Sequence, residues 1–160
     1  MTSDDSTSSE VDECPFCDLP EQRLGVLQIW QDEHWGLFVD LSSEVLGFSL
    51  LVPRRHLSHL GELRTGEAEA LGPALARTTN ALTAETGAGA AYVYVFDHPH
   101  LHIHLGPHTP DDALNSQIIR GEVITQELGG GLRRDVSVDF PLLPEPTLRA
   151  VADRVSVRLT

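Results

Sequence analysis

His98-Pro99-His100-Leu101-His102-Ile103-His104-Leu105-Gly106-Pro107-His108 holds five of the chain's eight histidines within eleven residues, and through Leu105 histidine alternates with apolar residues. A β-strand sends successive side chains to opposite faces. His100, His102 and His104 are therefore expected along one surface, with Leu101, Ile103 and Leu105 anchoring the strand from the other. Three adjacent neutral imidazoles fill a core poorly, because each brings a donor and an acceptor that need partners when buried. The row is expected to be presented to a site; a histidine-lined solvent edge or a chance tract is the structural alternative. With an ordinary pKa of about 6.5, imidazole suits nucleophilic attack, proton transfer or metal ligation. Spacing alone leaves these three open. Gly106-Pro107 is read as the end of the strand, since proline cannot donate to a ladder, which would set the histidines beside a turn.

The 160 residues around this run suffice for one domain with a real core. With 24 acidic residues against 11 arginines and no lysine, the formal charge of −13 argues against general binding to nucleic acid or an anionic membrane, so a phosphate site must be local. No stretch approaches the ~20 apolar residues of a membrane span, and the Ser/Thr/acidic beginning lacks the basic and apolar regions of a signal peptide. A cytoplasmic location is expected. Cys14 and Cys17 do not make a secreted disulfide framework; in a reducing compartment such a pair binds metal or does redox chemistry. A thioredoxin-like motif normally follows a strand and opens a helix, whereas Asp18-Leu19-Pro20 follows here. A structural zinc takes four Cys or His ligands, so two histidines would have to join from elsewhere.

Residues 1–12 have the composition of a disordered tail. Val26–Trp30 and Trp35–Asp40, broken by Gln31-Asp32-Glu33-His34, predict a hairpin, and Gly47–Pro53 predicts a buried strand. Ala70, Leu71, Ala74, Leu75 and Leu82 recur at helical spacing, predicting one long helix over Thr65–Thr86 that Pro73 can kink and Gly87-Ala88-Gly89 ends. Ala91–Phe96 leads through a turn at Pro99 into the histidine strand. Beyond it, Gln117–Gln126 and Leu132–Phe140 flank Gly129-Gly130-Gly131 as a second hairpin, and an amphipathic helix follows Pro144-Glu145-Pro146. No internal repeat is visible.

His100-Leu101-His102-Ile103-His104-Leu105-Gly106-Pro107 resembles the signature of the histidine-triad (HIT) superfamily of nucleotide hydrolases and transferases. Three further segments agree in order. Cys14-Pro15-Phe16-Cys17 is similar to the opening of the zinc-containing members, while Phe38-Val39-Asp40-Leu41 and then Gly47 with Leu50-Leu51-Val52-Pro53-Arg54-Arg55-His56 resemble the strand, turn and strand that build the nucleotide pocket. The likeness spans roughly residues 13–108. It implies an α+β fold, an antiparallel β-sheet with one long helix, to which this chain adds a C-terminal hairpin and helix. It divides the chain into a tail at 1–12, a HIT-like catalytic domain at 13–110, and an extension at 111–160 packed on the same domain.

The resemblance also implies roles. Cys14, Cys17, His56 and His100 would hold a structural Zn2+ with every position closed; His59 or His98 could substitute for a histidine ligand. His102 would attack the α-phosphorus of a nucleotide, forming a nucleotidyl-histidine, with one ring nitrogen held by a backbone carbonyl. His104 would contact the phosphate or leaving group. Asp40 would accept hydrogen bonds from ribose hydroxyls, set against its plain reading as a turn residue, and Val39 and Leu41 would frame the base. Where many members carry Gly-Gln-Ser/Thr phosphate contacts, this chain has Phe96-Asp97-His98-Pro99. His98 and His108 are therefore the candidate replacements on the leaving-group side. The implied partner is a purine nucleotide or nucleotide conjugate, and the implied assembly is a homodimer. Two other functions fit these residues: a zinc-stabilised nucleotide-binding module without turnover, and a metalloenzyme whose catalytic metal is held by the histidines.

Overall fold

The computed structural model describes residues 14, 16–17, 25–96, 100–110, 123–130 and 132–160. Five strands form one antiparallel sheet: β1 (Val26–Gln31), β2 (Trp35–Asp40), β3 (Ser49–Pro53), β4 (Ala90–Phe96) and β5 (His102–His108), in the spatial order β1-β2-β3-β5-β4. Helix α1 (Thr65–Thr86) lies between β3 and β4 in sequence, and helix α2 (Glu145–Leu159) closes the chain. The α+β class, the first hairpin, the buried strand and the long helix all stand where the sequence places them. The expected tail at 1–12 lies outside the described residues.

The register explains how the two faces divide. Leu37 pairs with Leu51, and Leu51 with Ile103. These three join Trp35, Leu101 and Leu105 in a core that α1 covers with Ala74, Ala81 and Leu82, and α2 with Val151, Val155 and Leu159. The apolar stripe of α1 is thus used within the chain. α1 runs unbroken through Pro73. Threonines 78, 79, 83 and 86 bond back to carbonyls four residues earlier, and Gly87 ends the helix at φ 74°. At its other end the Arg55 guanidinium forks onto Glu67 at 2.8 Å, and the Trp35 indole N–H donates to the Glu67 carbonyl. Arg55 foremost, helped by the Arg64 N–H, holds the Glu67 carboxyl down at about 2. The ion pair clips the end of β3 to the start of α1.

Two expectations about the histidine strand need correcting. Gly106-Pro107 does not end it: β5 continues to His108, and Pro107 pairs with Ala91. The ladder between β3 and β5 has already finished at Ser49 and Leu105, so on that side nothing asks Pro107 for an N–H. The histidines consequently lie at the start of the strand. Gly47 packs beside this proline; an added Cβ would stand 2.8 Å from Thr86, and φ is +76° there, so only glycine suits the turn into β3.

Beyond residue 110 the described chain resumes as a separate hairpin, β6 (Val123–Gly129) with β7 (Leu132–Ser137). The remainder of the expected first strand, 117–122, lies outside the described residues. The connection to α2 then crosses the loop after β2. Phe140 packs on Val45, and the Leu143 N–H donates to the Ser43 carbonyl. α2 docks through its apolar row and through Arg154 and Arg158, both paired with Glu85 of α1. Among the described residues no helix is long and apolar enough to cross a membrane.

Candidate functional site

The face of the sheet opposite the helices carries the histidines. His104 pairs with Leu50 on one side and Tyr94 on the other, and Phe38 lies across from Leu50. Phe16 folds over this face with Cys14, joining Val26, Phe38 and Val52. The row expected to be presented is therefore partly roofed: His100 is 1% exposed and His102 is 7% exposed. A cluster of apolar and aromatic side chains supplies the cover that spacing alone does not reveal.

His100 stands just before β5, fixed by the Leu101 N–H donating to Leu57. Its Nε2 lies 3.1 Å from the Pro53 carbonyl, which can only accept, so Nε2 carries the proton and Nδ1 presents a lone pair. That Nδ1 faces Cys14 Sγ at 3.4 Å and Cys17 Sγ at 3.5 Å, while His56 Nδ1 lies 3.1 Å from Cys17 Sγ. The four ligand atoms lie within 4.8 Å of one another. Two sulfurs and two imidazole nitrogens at this closeness, one imidazole oriented by a carbonyl behind it, fit a closed structural zinc. The Cys17 thiol asks for a cation: partial burial first, and then the Cys14 side chain beside it, push it up to about 12, so it becomes a thiolate only against a compensating charge. His59 is turned elsewhere, 57% exposed and paired with Glu62 at 3.0 Å. His98 lies outside the described residues. The cluster is the one such grouping of metal-capable side chains among the described residues.

His102 is held by the backbone of His100. Its Nδ1 lies 2.7 Å from the His100 carbonyl and must donate to it, which leaves the lone pair on Nε2. The Phe16 ring stacks on the imidazole, with centroids 4.9 Å apart and planes at 26°. His104 follows at 5.1 Å, with Phe48 edge-on and Tyr94 tilted, each at 5.2 Å. Burial first, then His102, lower His104 to about 3, so it is neutral near pH 7. Burial, then Glu44, raise the Tyr94 phenol to about 12, keeping it a protonated donor.

The half-buried, neutral His104 sets a pH dependence. The unfolded chain binds its proton near 6.5 and the fold only near 3, so the stability tied to the neutral ring is complete above 6.5 and is lost as pH falls from there towards 3. Unfolding free energies from urea titrations between pH 8 and pH 5 are expected to fall, by up to about 1.4 kcal/mol per pH unit for this one group. A His104→Gln variant should show a shallower slope. An unchanged slope would mean that the ring takes up its proton within the fold.

The remaining candidates are placed less uniformly. Asp40 ends β2 on the histidine face, its Oδ1 taking the Ser42 N–H at 2.8 Å and its own N–H donating to Phe48. The carboxylate expected to meet ribose is thus also the one that caps this turn. Val39 pairs with Ser49 and points to the opposite, helix-covered face, where it is 0% exposed; it does not share the histidine surface. Phe38 and Leu50 do. Leu41 is half-buried beyond the strand, with its N–H on Gly25. His108 is on the histidine face but four residues beyond His104, roughly 13 Å along the strand, against Tyr92 at 4.9 Å. Phe16, Phe38, Phe48, Leu50 and Tyr94 join the site without having been singled out as candidates by sequence. Period-2 register from Asp40 and His104 is the signal that finds Phe38 and Tyr94. Phe16 and Phe48 sit on loops, where register says nothing.

A cleft of about 580 Å³ lies away from the histidine row of β5, at the end where β2 meets β3, and His34, Arg54, Arg55, Arg64 and Glu67 line it. Arg55 and Glu67 neutralise each other there.

No family model and no curated protein sequence matches this chain. Solved structures do. A zinc-bound histidine triad family protein from Mycobacterium smegmatis is 15% identical with a TM-score of 0.63, covering 93% of this chain and 94% of its own. A histidine triad protein from Bradyrhizobium japonicum reaches 0.66 at 14% identity, covering 88% and 96%. A hypothetical histidine triad nucleotide-binding protein from Sulfolobus tokodaii strain7 reaches 0.60 at 15%, covering 91% of each chain. At these identities the likeness is one of fold.

Proposed function

We propose that this chain of histidine-triad fold is a nucleotidyl hydrolase or transferase that works at the α-phosphate through His102. One observation carries the reading: His102 Nδ1 is committed to the His100 carbonyl, so the lone pair of a buried, aromatic-backed imidazole sits on Nε2. In the first step Nε2 attacks phosphorus, a P–N bond forms, and the bond to the leaving group breaks with its electron pair, the leaving group then taking a proton. In the second, water or another acceptor attacks phosphorus and the P–N electrons return to Nε2. The emerging imidazolium is steadied by the His100 carbonyl. Neutral His104 and the protonated Tyr94 phenol offer donors to the phosphate oxygens, and the Asp40 carboxylate at the end of β2 takes the ribose hydroxyls. Leu41, Phe38 and Leu50 supply the apolar surface for a purine base. By sequence position His98 and His108 remain the candidates for the leaving-group side, His108 only for a leaving group that reaches roughly 13 Å along the strand beyond His104. Zinc held by Cys14, Cys17, His56 and His100 supplies structure only.

Brief incubation with α-labelled adenine and guanine nucleotide esters, denaturation and mass measurement should reveal an acid-labile nucleotidyl adduct on the peptide containing His102. Binding without adduct or turnover would mean a nucleotide-binding module; activity lost to a chelator and restored by one metal, with no adduct, would mean a metalloenzyme.

A homodimer belongs to the same proposal. Strand β4 is the outer edge of the sheet and exposes Tyr92, Val93 and Val95 to 38%, 46% and 40%. An apolar edge of this kind invites pairing with a second copy. Sedimentation at micromolar concentration should give twice the chain mass, and Val95→Glu should give the single mass. A monomeric wild type would remove the assembly from the proposal.

A further inference from the structure

We infer that Phe16 is a positioning residue for His102, so that the zinc-binding knuckle, through the side chain it carries between its two cysteines, sets the plane of the reacting imidazole. The inference rests on the reading of His102 as the nucleophile. A single hydrogen bond at Nδ1 fixes one atom of the ring. With two side-chain torsions and one hydrogen-bond distance, the ring plane can still tilt, and Nε2 tilts with it. A second contact is needed to define the direction of the lone pair, and Phe16 makes it. The two rings stack at 4.9 Å and 26°, whereas Phe16 meets His100 only obliquely, at 5.7 Å and 54°.

Phe16 is itself fixed. It is 7% exposed and wedged among Cys14, Val26, Phe38 and Val52. The chain around it is anchored at both sides: Cys14 Sγ reaches His100, Cys17 Sγ reaches His56 and His100, and the Cys17 N–H donates to the Cys14 carbonyl. His100 therefore serves twice, as a donor to the cluster and, through its carbonyl, as the holder of His102. One constraint on the imidazole thus comes from the knuckle and the other from His100, a residue of the same four-donor cluster. The stack also has an electronic consequence. When Nε2 bonds to phosphorus the ring becomes cationic, and an aromatic face beneath a cation is favourable. The interaction is stronger in the transition state than in the ground state, so it should appear in kcat rather than in KM.

The test compares wild type with Phe16→Leu, Phe16→Tyr and Phe16→Trp, each confirmed to carry zinc at the wild-type ratio. With the p-nitrophenyl ester of a purine 5′-monophosphate, Phe16→Leu is expected to lower kcat about tenfold and leave KM near its wild-type value. Tyr or Trp should restore kcat. Independently of turnover, the His102 Cδ2 and Cε1 protons of the ligand-free, zinc-loaded protein should be shifted upfield by the ring beneath them in wild type and Phe16→Tyr. In Phe16→Leu they should not. Unchanged kcat in the zinc-loaded Leu variant, an effect confined to KM, or wild-type His102 signals with no ring-current shift would each overturn the inference. A protein with the upfield shift and no turnover would keep Phe16 as the element orienting His102 and remove only the assigned reaction.

Discussion

Replacing His102 by Ala is expected to lower turnover of an activated purine nucleotide ester by at least about 10³-fold, because removing a nucleophile leaves only what binding and electrostatics can supply. The adduct should vanish with it. The structure indicates why this variant should still fold: its neighbours Ile103 and Leu101 hold the strand from the opposite face, and His102 is not among the four donors of the metal cluster. His102→Asn, which keeps an N–H for the His100 carbonyl, should be equally inactive. Zinc content and melting temperature measured alongside distinguish lost chemistry from lost structure. Turnover within tenfold of wild type in both variants would sink the assignment of His102 as nucleophile.

The second large effect concerns the metal. Cys14 is buried and Cys17 exposed, yet each contributes one of four converging donors, and the pair joins the N-terminal segment to His56 after β3 and His100 before β5. Purified protein should contain one zinc per chain. Cys14→Ser should contain little, and His59→Ala the full amount. A ligand bound at a thousandfold excess over its dissociation constant stabilises a fold by about 4 kcal/mol, and a domain of this size loses about 2–4 °C per kcal/mol. Melting about 10 °C lower is therefore expected for Cys14→Ser, and for wild type after prolonged chelation. Because His100 also holds His102, activity should fall with the zinc. Unchanged zinc in the Cys14→Ser protein would show that the four donors are not its ligands.

Much of this architecture is legible in the chain itself. The alternation of histidine with apolar residues through Leu105 marks a strand, β5 from His102, with histidines on one face, and the helical spacing of Ala70, Ala74 and Leu82 marks the long helix despite Pro73. Resemblance points to Cys14, Cys17, His56 and His100, which the fold brings within ligand distance. Other features mislead for identifiable reasons. Gly106-Pro107 looks like a terminator, but proline's missing N–H matters only where a neighbouring strand needs it, and the end of β3 is a tertiary fact. Val39 looks like a neighbour of the base when adjacency to Asp40 is weighed above alternation, which sends it to the helix side.

Local periodicity and residue chemistry are properties of the chain, so they suffice to tell which strand bears the histidines, which side of it packs, and which residue types could bind a metal. Only the folded sheet settles what no local pattern encodes: which proton each imidazole carries and what lies over its face. His100 has its tautomer set by the carbonyl of Pro53, 47 positions earlier, and His102, whose Nδ1 is held by a carbonyl only two residues away, has its plane set by a phenyl ring 86 positions earlier in the chain. Those assignments depend on distances between remote segments, which exist only once the sheet has brought them together.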